Sequence, residues 1–298
     1  ATLTANSSNV TYTGLAQSVS GYTATGLVNN QTISVLTGVT ASGATGTNAA
    51  TYTNTVTGTD NNYNLTLVNG SLVIGKANAT VTANSSNVTY TGLAQSVSGF
   101  TATGLVNGET TSVLSGVTAS GATGTNAATY TNTVTGTDNN YNLNLVNGSL
   151  VIGKASLVVT ADNKTRVYGD ANPLLTYTLT GFVNSETASV ISGAPTLTTN
   201  ANTNTGVGEV PINATVGNFS AANYSFTAAN GILTVTPKQL IVSAVDQSTT
   251  YGTALDLGTN NTGTSRYTTS GLINSDTVTS VVLNQNGNTT VPSGQAAG

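Results

Sequence analysis

YNLNLVNGSLVIG, residues 141–153, alternates apolar and polar side chains on both sides of an Asn-Gly pair. A period of two puts Tyr141, Leu143 and Leu145 on one face and Asn142 and Asn144 on the other, the pattern of a half-buried β-strand. Asn-Gly between two such runs is the strongest short hairpin signal, so the stretch predicts paired strands turning at Asn147-Gly148. The same words stand at 63–75 as YNLTLVNGSLVIG, with Asn69-Gly70, and return in drifted form at 223–236 as NYSFTAANGILTVT.

Around these stretches a whole unit repeats. Ala79–Lys154 reproduces Ala1–Lys76 almost letter for letter, with Tyr22 replaced by Phe100, Asn30 by Gly108, Gln31 by Glu109 and little else. A third copy keeps the punctuation: Tyr168-Gly169, TGFVNSETASVISG at 180–193, Asn223-Tyr224 and Asn230-Gly231. A fourth shows Tyr251-Gly252 and SGLINSDTVTSVV at 270–282, and the sequence stops before its Asn-Tyr and Asn-Gly signals. These marks divide the chain into modules at 1–76, 77–154 and 155–238, with an incomplete fourth at 239–298.

Only 5% of the 298 residues are charged and 38% are hydrophobic. That content is enough to bury several small cores and too apolar for a disordered polar tract. Cysteine and histidine are both absent. A disulfide framework is therefore excluded, and the commonest zinc ligands and nucleophile-base pairs are missing, which argues against an enzyme. Ten acidic residues are too dispersed to nominate a catalytic pair. Six scattered Lys and Arg and a net charge of −4 leave no basic footprint for nucleic acid. No apolar run approaches a membrane span, and no signal peptide opens the chain, so the sequence reads as a segment of something longer.

Short alternating runs rich in Thr, Val and Tyr, with frequent turn signals, predict an all-β chain of small Ig-like β-sandwich modules set head to tail as a rod. A continuous β-solenoid is the other architecture, and its ranked Thr-x-Thr face would suit ice; no coil-length period inside the unit supports it. GLVNGETTSVLSG at 104–116 and GFVNSETASVISG at 181–193 predict either one capped helical turn, with Asn or Ser leading an acidic residue, or a plain loop.

Several residues carry a chemical reading beside a structural one. Lys76, Lys154 and Lys238 close successive modules; they suit an isopeptide staple to asparagine, or solvated lysines that discourage edge pairing. Asp60-Asn61-Asn62 and Asp162-Asn163 offer hard oxygens for calcium, or plain Asx turns. Tyr12, Tyr90, Tyr168 and Tyr251, with Tyr63, Tyr141 and Tyr224, recur once per module as sugar-stacking platforms or as packed tyrosines bonded through the hydroxyl. Asn9, Asn64, Asn69 and Asn78 head Asn-x-Ser/Thr sequons. None of these is assigned as a catalytic, cofactor or metal residue.

The order Lys-Ala-x-x-x-Val-Thr-Ala (154–161, with ASLVVTA at Ala155–Ala161), Tyr-Gly (168–169), Pro173, Thr-Gly-Phe-Val-Asn (180–184), Asn-Tyr (223–224) and Asn-Gly-x-Leu-x-Val (230–235) resembles the MBG, or YGX-type, repeats of very large bacterial surface and biofilm-matrix adhesins. The first two copies depart from it, with TYTG in place of Tyr-Gly and no proline. The resemblance implies an extracellular, filamentous-haemagglutinin-like stalk at the cell surface or in the biofilm matrix. It also implies an outer-membrane export partner, and exopolysaccharide or neighbouring adhesin molecules as partners. It implies no catalytic residues. From the repeats alone two functions stay open: a structural stalk whose job scales with length, or modules that themselves bind exopolysaccharide or self-associate.

Overall fold

A computed structural model describes residues 1–257, 266–284 and 290–291, and so covers the fourth segment, 239–298, in part. The chain is all-β, with short strands and single 3-10 turns, and falls into two compact units, Ala1–Ala155 and Ser156–Gly298. Among the described residues no helix is long and apolar enough to cross a membrane.

The first 76 residues form β1 (Thr2–Ala5), β2 (Ser8–Thr11), β3 (Gln17–Val19), β4 (Tyr22–Thr25), β5 (Val39–Ala41), β6 (Ala44–Gly46), β7 (Thr51–Asn54), β8 (Val56–Gly58), β9 (Thr66–Val68) and β10 (Gly70–Gly75). Two three-stranded sheets, in the orders β4-β1-β9 and β2-β10-β7, are accompanied by the pairs β3-β6 and β5-β8. The alternation works as the sequence requires: Leu3 and Ala5 of β1 are buried while Thr2 and Thr4 face water. Residues 77–154 repeat the same plan. Ala77–Ala83 lies between Phe100–Thr103 and Tyr141–Val146, and Gly148–Gly153 lies between Ser86–Thr89 and Ala128–Asn132.

The predicted hairpin at Asn-Gly is not formed. β9 runs parallel to β1 in one sheet and β10 runs parallel to β2 in the other, so the chain crosses between sheets at Asn69. The second copy does the same at Asn147, with Tyr141–Val146 parallel to Ala77–Ala83 and Gly148–Gly153 parallel to Ser86–Thr89. The sheets are therefore mixed. The reason lies in what the pair touches: a Cβ on Gly70 would stand 2.3 Å from the carbonyl oxygens of Ala5 and Asn6, where the chain makes its earlier crossing from β1 to β2. Glycine is there for close stacking of two corners, while Asn69 Oδ1 accepts from the Val56 amide at 3.3 Å.

The φ > 0 pair of a type I′ turn occurs instead at Asn29-Asn30, Asn107-Gly108, Asn184-Ser185 and Asn274-Ser275. In the second copy the Glu109 amide closes this turn onto the Val106 carbonyl at 2.9 Å. Each of the first three turns leads into a 3-10 turn, at Ile33–Val35, Thr111–Val113 and Ala188–Val190. Of the two readings of this stretch, a single turn is the one formed, capped by a side chain only at Thr187, whose hydroxyl accepts from the Ser189 amide, and not at Thr32 or Thr110. Its N-cap residue is Thr32, Thr110 or Thr187 rather than the Asn or Ser expected, because those residues are taken by the β-turn.

In the third module Tyr177–Thr180, Ala155–Ala161 and Tyr224–Ala229 form one sheet, and Lys164–Val167, Gly231–Thr236, Gly208–Thr215 and Thr196–Thr198 the other. The fourth segment pairs Ile241–Ala244 with Tyr267–Ser270, and Leu255–Asp256 with Thr290–Val291.

Candidate functional site

Within the first unit, the hydrophobic cores do not respect the repeat boundary. One cluster (Leu3, Ala5, Leu36, Val39, Val56) fills only part of the first module. The next joins Leu72 and Ile74 of β10, with Tyr12 and Ala44, to Ala77, Ala79 and Val81 of the following strand and to Leu114, Val117, Val134 and Tyr141. Between β10 and Ala77 the connection is Lys76 alone. A single-residue link entering a shared core makes the seam between modules a packed interface rather than a hinge.

Polar contacts complete the seam. Tyr12 and Tyr141, 6% and 2% exposed, meet edge to face with ring centroids 5.4 Å apart and planes at 81°. Both donate to one carboxylate: the Tyr12 hydroxyl reaches Glu109 Oε1 at 2.6 Å and the Tyr141 hydroxyl reaches Oε2. Tyr141 also accepts from the Val106 amide at 3.0 Å and so pins the turn that carries Glu109. The hydrogen bond to Glu109, reinforced by burial, pushes the Tyr12 phenol up to about 12. Burial first, then the same carboxylate, raises that of Tyr141. Gly14, at φ +75°, leaves room for Asn107, whose Cβ would lie 2.8 Å from a Cβ placed there, and Asn107 Nδ2 donates to the Gly14 carbonyl at 3.4 Å. Across the other side of the seam, Asn140 Oδ1 accepts from the Ala49 amide at 2.8 Å and Lys76 Nζ donates to the Asp138 carbonyl at 2.7 Å.

The same parts recur elsewhere. Tyr63 accepts from the Val28 amide at 3.1 Å and donates to Gln31. Tyr224 accepts from the Val183 amide at 3.1 Å and donates to Glu186 at 2.5 Å, while burial and that carboxylate raise its phenol. Within the second unit Tyr168 donates to Asp276 at 3.2 Å, Asn274 Nδ2 donates to the Thr203 carbonyl at 2.9 Å, and Ile273 occupies the space beside Gly169.

The tyrosines are thus mostly packed. Tyr90 is 5% and Tyr224 is 2% exposed, whereas Tyr251 is 91% exposed. Tyr22 and Phe100 exchange at a site that packs against equivalent clusters. The Asp residues make local turns: Asp60 Oδ1 accepts from the Asn62 amide at 2.8 Å, and Asp138 Oδ1 from the Asn140 amide at 2.7 Å. Hydroxyls of Thr176 and Thr178 donate to Asp162 and hold its carboxyl below the usual range, and Asn163 Oδ1 accepts from the Ile232 amide. Lys154 and Lys238 are exposed. The sequence reading missed Glu109, and with it the buried Asn54 and Asn132. The signal for Glu109 was present: in a chain with ten acidic residues, three of them, Glu109, Glu186 and Asp276, occupy the same turn position.

A family model for the MBG domain (YGX type) matches residues 1–73, 79–151 and 157–234. The chain belongs to that family. The Tyr-Gly signature of YGX-type MBG domains is, in this chain, the tyrosine that donates to the next module's acid and the glycine that makes space for it, Tyr168-Gly169 against Asp276 and Ile273. In the first MBG domain a threonine intervenes, and Tyr12 and Gly14 do the same two jobs. No curated protein matches the chain.

Proposed function

We propose that this run of MBG domains is a non-catalytic spacer of an extracellular bacterial adhesin or biofilm-matrix protein, extending an adhesive domain from the cell surface. The observation that carries the reading is the core shared by the first and second modules through a one-residue link, since a spacer must resist bending at its joints. Small-angle scattering of the dilute chain tests it. Strands rising about 3.3 Å per residue give modules whose end-to-end array reaches on the order of 100 Å or more. A particle near the radius of gyration of one globule, about 19 Å, overturns it.

A second reading, direct binding of exopolysaccharide, is favoured by rows of threonine on the solvent side. Thr2 pairs with Thr25 and Thr4 with Thr23, and the next module repeats this with Thr80 and Thr103, and Thr82 and Thr101. Replacing Thr23 and Thr101 by Val would then weaken retention on immobilised polysaccharide and leave the scattering unchanged.

A further inference from the structure

The geometry points to a covalent cross-link site: Tyr12 and Tyr141 are placed to be joined ring to ring by a peroxide-driven one-electron oxidant, sealing the first module to the second. Their rings already touch, with centroids 5.4 Å apart. Both hydroxyls converge on the Glu109 carboxylate, Tyr12 at 2.6 Å and Tyr141 on the other oxygen. A phenol gives up an electron most easily when its proton leaves at the same time to a hydrogen-bonded base, and Glu109 is that base for both rings. The composition adds an independent reason. With no Cys, Met, Trp or His, tyrosine is the side chain on which an oxidising equivalent comes to rest.

Each phenol loses one electron, while Glu109 takes its proton and passes it to solvent; one hydrogen peroxide takes both electrons and both protons and leaves as two waters. The two phenoxyl radicals couple at ring carbons ortho to oxygen, forming one C–C bond. The two displaced ring hydrogens move to the oxygens and restore both phenols. In the product the hydroxyls flank the new bond on one side, which is how the shared carboxylate already holds them. The inference rests on the seam and not on the spacer reading, so either stands if the other fails.

The test treats the dilute full chain with hydrogen peroxide and a small haem peptide, follows the blue fluorescence of dityrosine, and maps the products by proteolysis and mass spectrometry. The expected product is an intramolecular pair of peptides carrying Tyr12 and Tyr141, lighter than their sum by two hydrogen atoms. Tyr12→Phe and Tyr141→Phe, which keep the rings, each abolish that pair; Tyr251→Phe, at a fully open tyrosine, leaves it. Glu109→Gln lowers its yield several-fold. Linked products that exclude the Tyr12–Tyr141 pair overturn the proposal, as does hydroxylated tyrosine without coupling, or reaction at Tyr251 with Tyr12 and Tyr141 untouched.

Discussion

Tyr12→Phe removes one hydroxyl and nothing else from the seam, and its effect follows from the partner it loses. The hydroxyl donates at 2.6 Å to a carboxylate across a module boundary, from a side chain 6% exposed. A hydrogen bond to a charged group contributes roughly 1.5–3 kcal/mol, so the variant should lose about 2 kcal/mol. With a urea m-value near 2 kcal/mol/M, the unfolding midpoint falls by about 1 M. Glu109→Ala strands two buried hydroxyls, on Tyr12 and on Tyr141, and should cost about 3–5 kcal/mol. In the Glu109→Ala background the Tyr12 hydroxyl has already lost its acceptor, so removing it as well adds little and the effects do not sum; the coupling should be about 1.5–3 kcal/mol. Urea denaturation of the four proteins, followed by far-ultraviolet circular dichroism, measures it. Additivity within about 0.5 kcal/mol would show that residues 97 apart in sequence do not share a bond, and the seam argument would be refuted.

Alkaline pH should weaken the seam. The Tyr12 phenol stands at about 12 in the folded chain against an ordinary 10, so its contribution is complete below pH 10 and is lost as pH climbs towards 12; Tyr12→Phe should flatten that fall in the urea midpoint. Gly148→Ala should cost about 2–4 kcal/mol, because its Cβ would lie 2.3 Å from the Asn84 carbonyl oxygen, whereas Gly108→Ala meets nothing within 4 Å and should cost about 1 kcal/mol through its φ of +69° alone. Thermal melts rank the two, and a reversed order would contradict the stacked corners. Asn132→Leu should lose about 2–4 kcal/mol, since Asn132 accepts from the Gly121 amide at 2.9 Å and donates to the Asn84 carbonyl at 3.0 Å, and a melt as high as that of the unaltered chain would show those groups find other partners.

Period-two alternation made the strands legible because it reports which face of one strand is buried. It could not report which strand lies alongside. Asn-Gly at 69–70 and 147–148 looks like a hairpin turn because the local signal is identical whether glycine supplies a positive φ or merely omits a side chain. Only the carbonyls of Ala5 and Asn6, more than sixty residues away, decide it. At Asn107-Gly108 the same dipeptide does make a type I′ turn, inside a stretch read for helical capping. Tyrosines recurring once per module were recognisable as structural. Their partner was marked only by the recurrence of Glu109, Glu186 and Asp276 at one turn position, and no spacing shows that one carboxylate takes hydroxyls from two modules. Asn54, at 0% exposure, was hidden among many asparagines of the same composition.

The few differences between near-identical copies carry physical information that the identities do not. At the turn position the first module has Gln31, which accepts the Tyr63 hydroxyl on its amide oxygen. The second has Glu109, which accepts from Tyr141 of its own module and Tyr12 of the one before. A glutamine amide offers one accepting oxygen and an NH2 that only donates, while a carboxylate offers two accepting oxygens and strengthens both bonds by its charge. In a chain that uses charge so sparingly, the acid stands where two hydroxyls converge. The same logic accounts for Asn132 and Ile212, which face Gly148 and Gly231 at matching register positions. Where a buried side chain must tie the Gly121 amide to the Asn84 carbonyl the position is Asn, and in the third module it is an apolar residue buried to 0%. At these two positions, therefore, what the repeat keeps is a buried group with its partners met, and the exchange between copies follows the number of partners present.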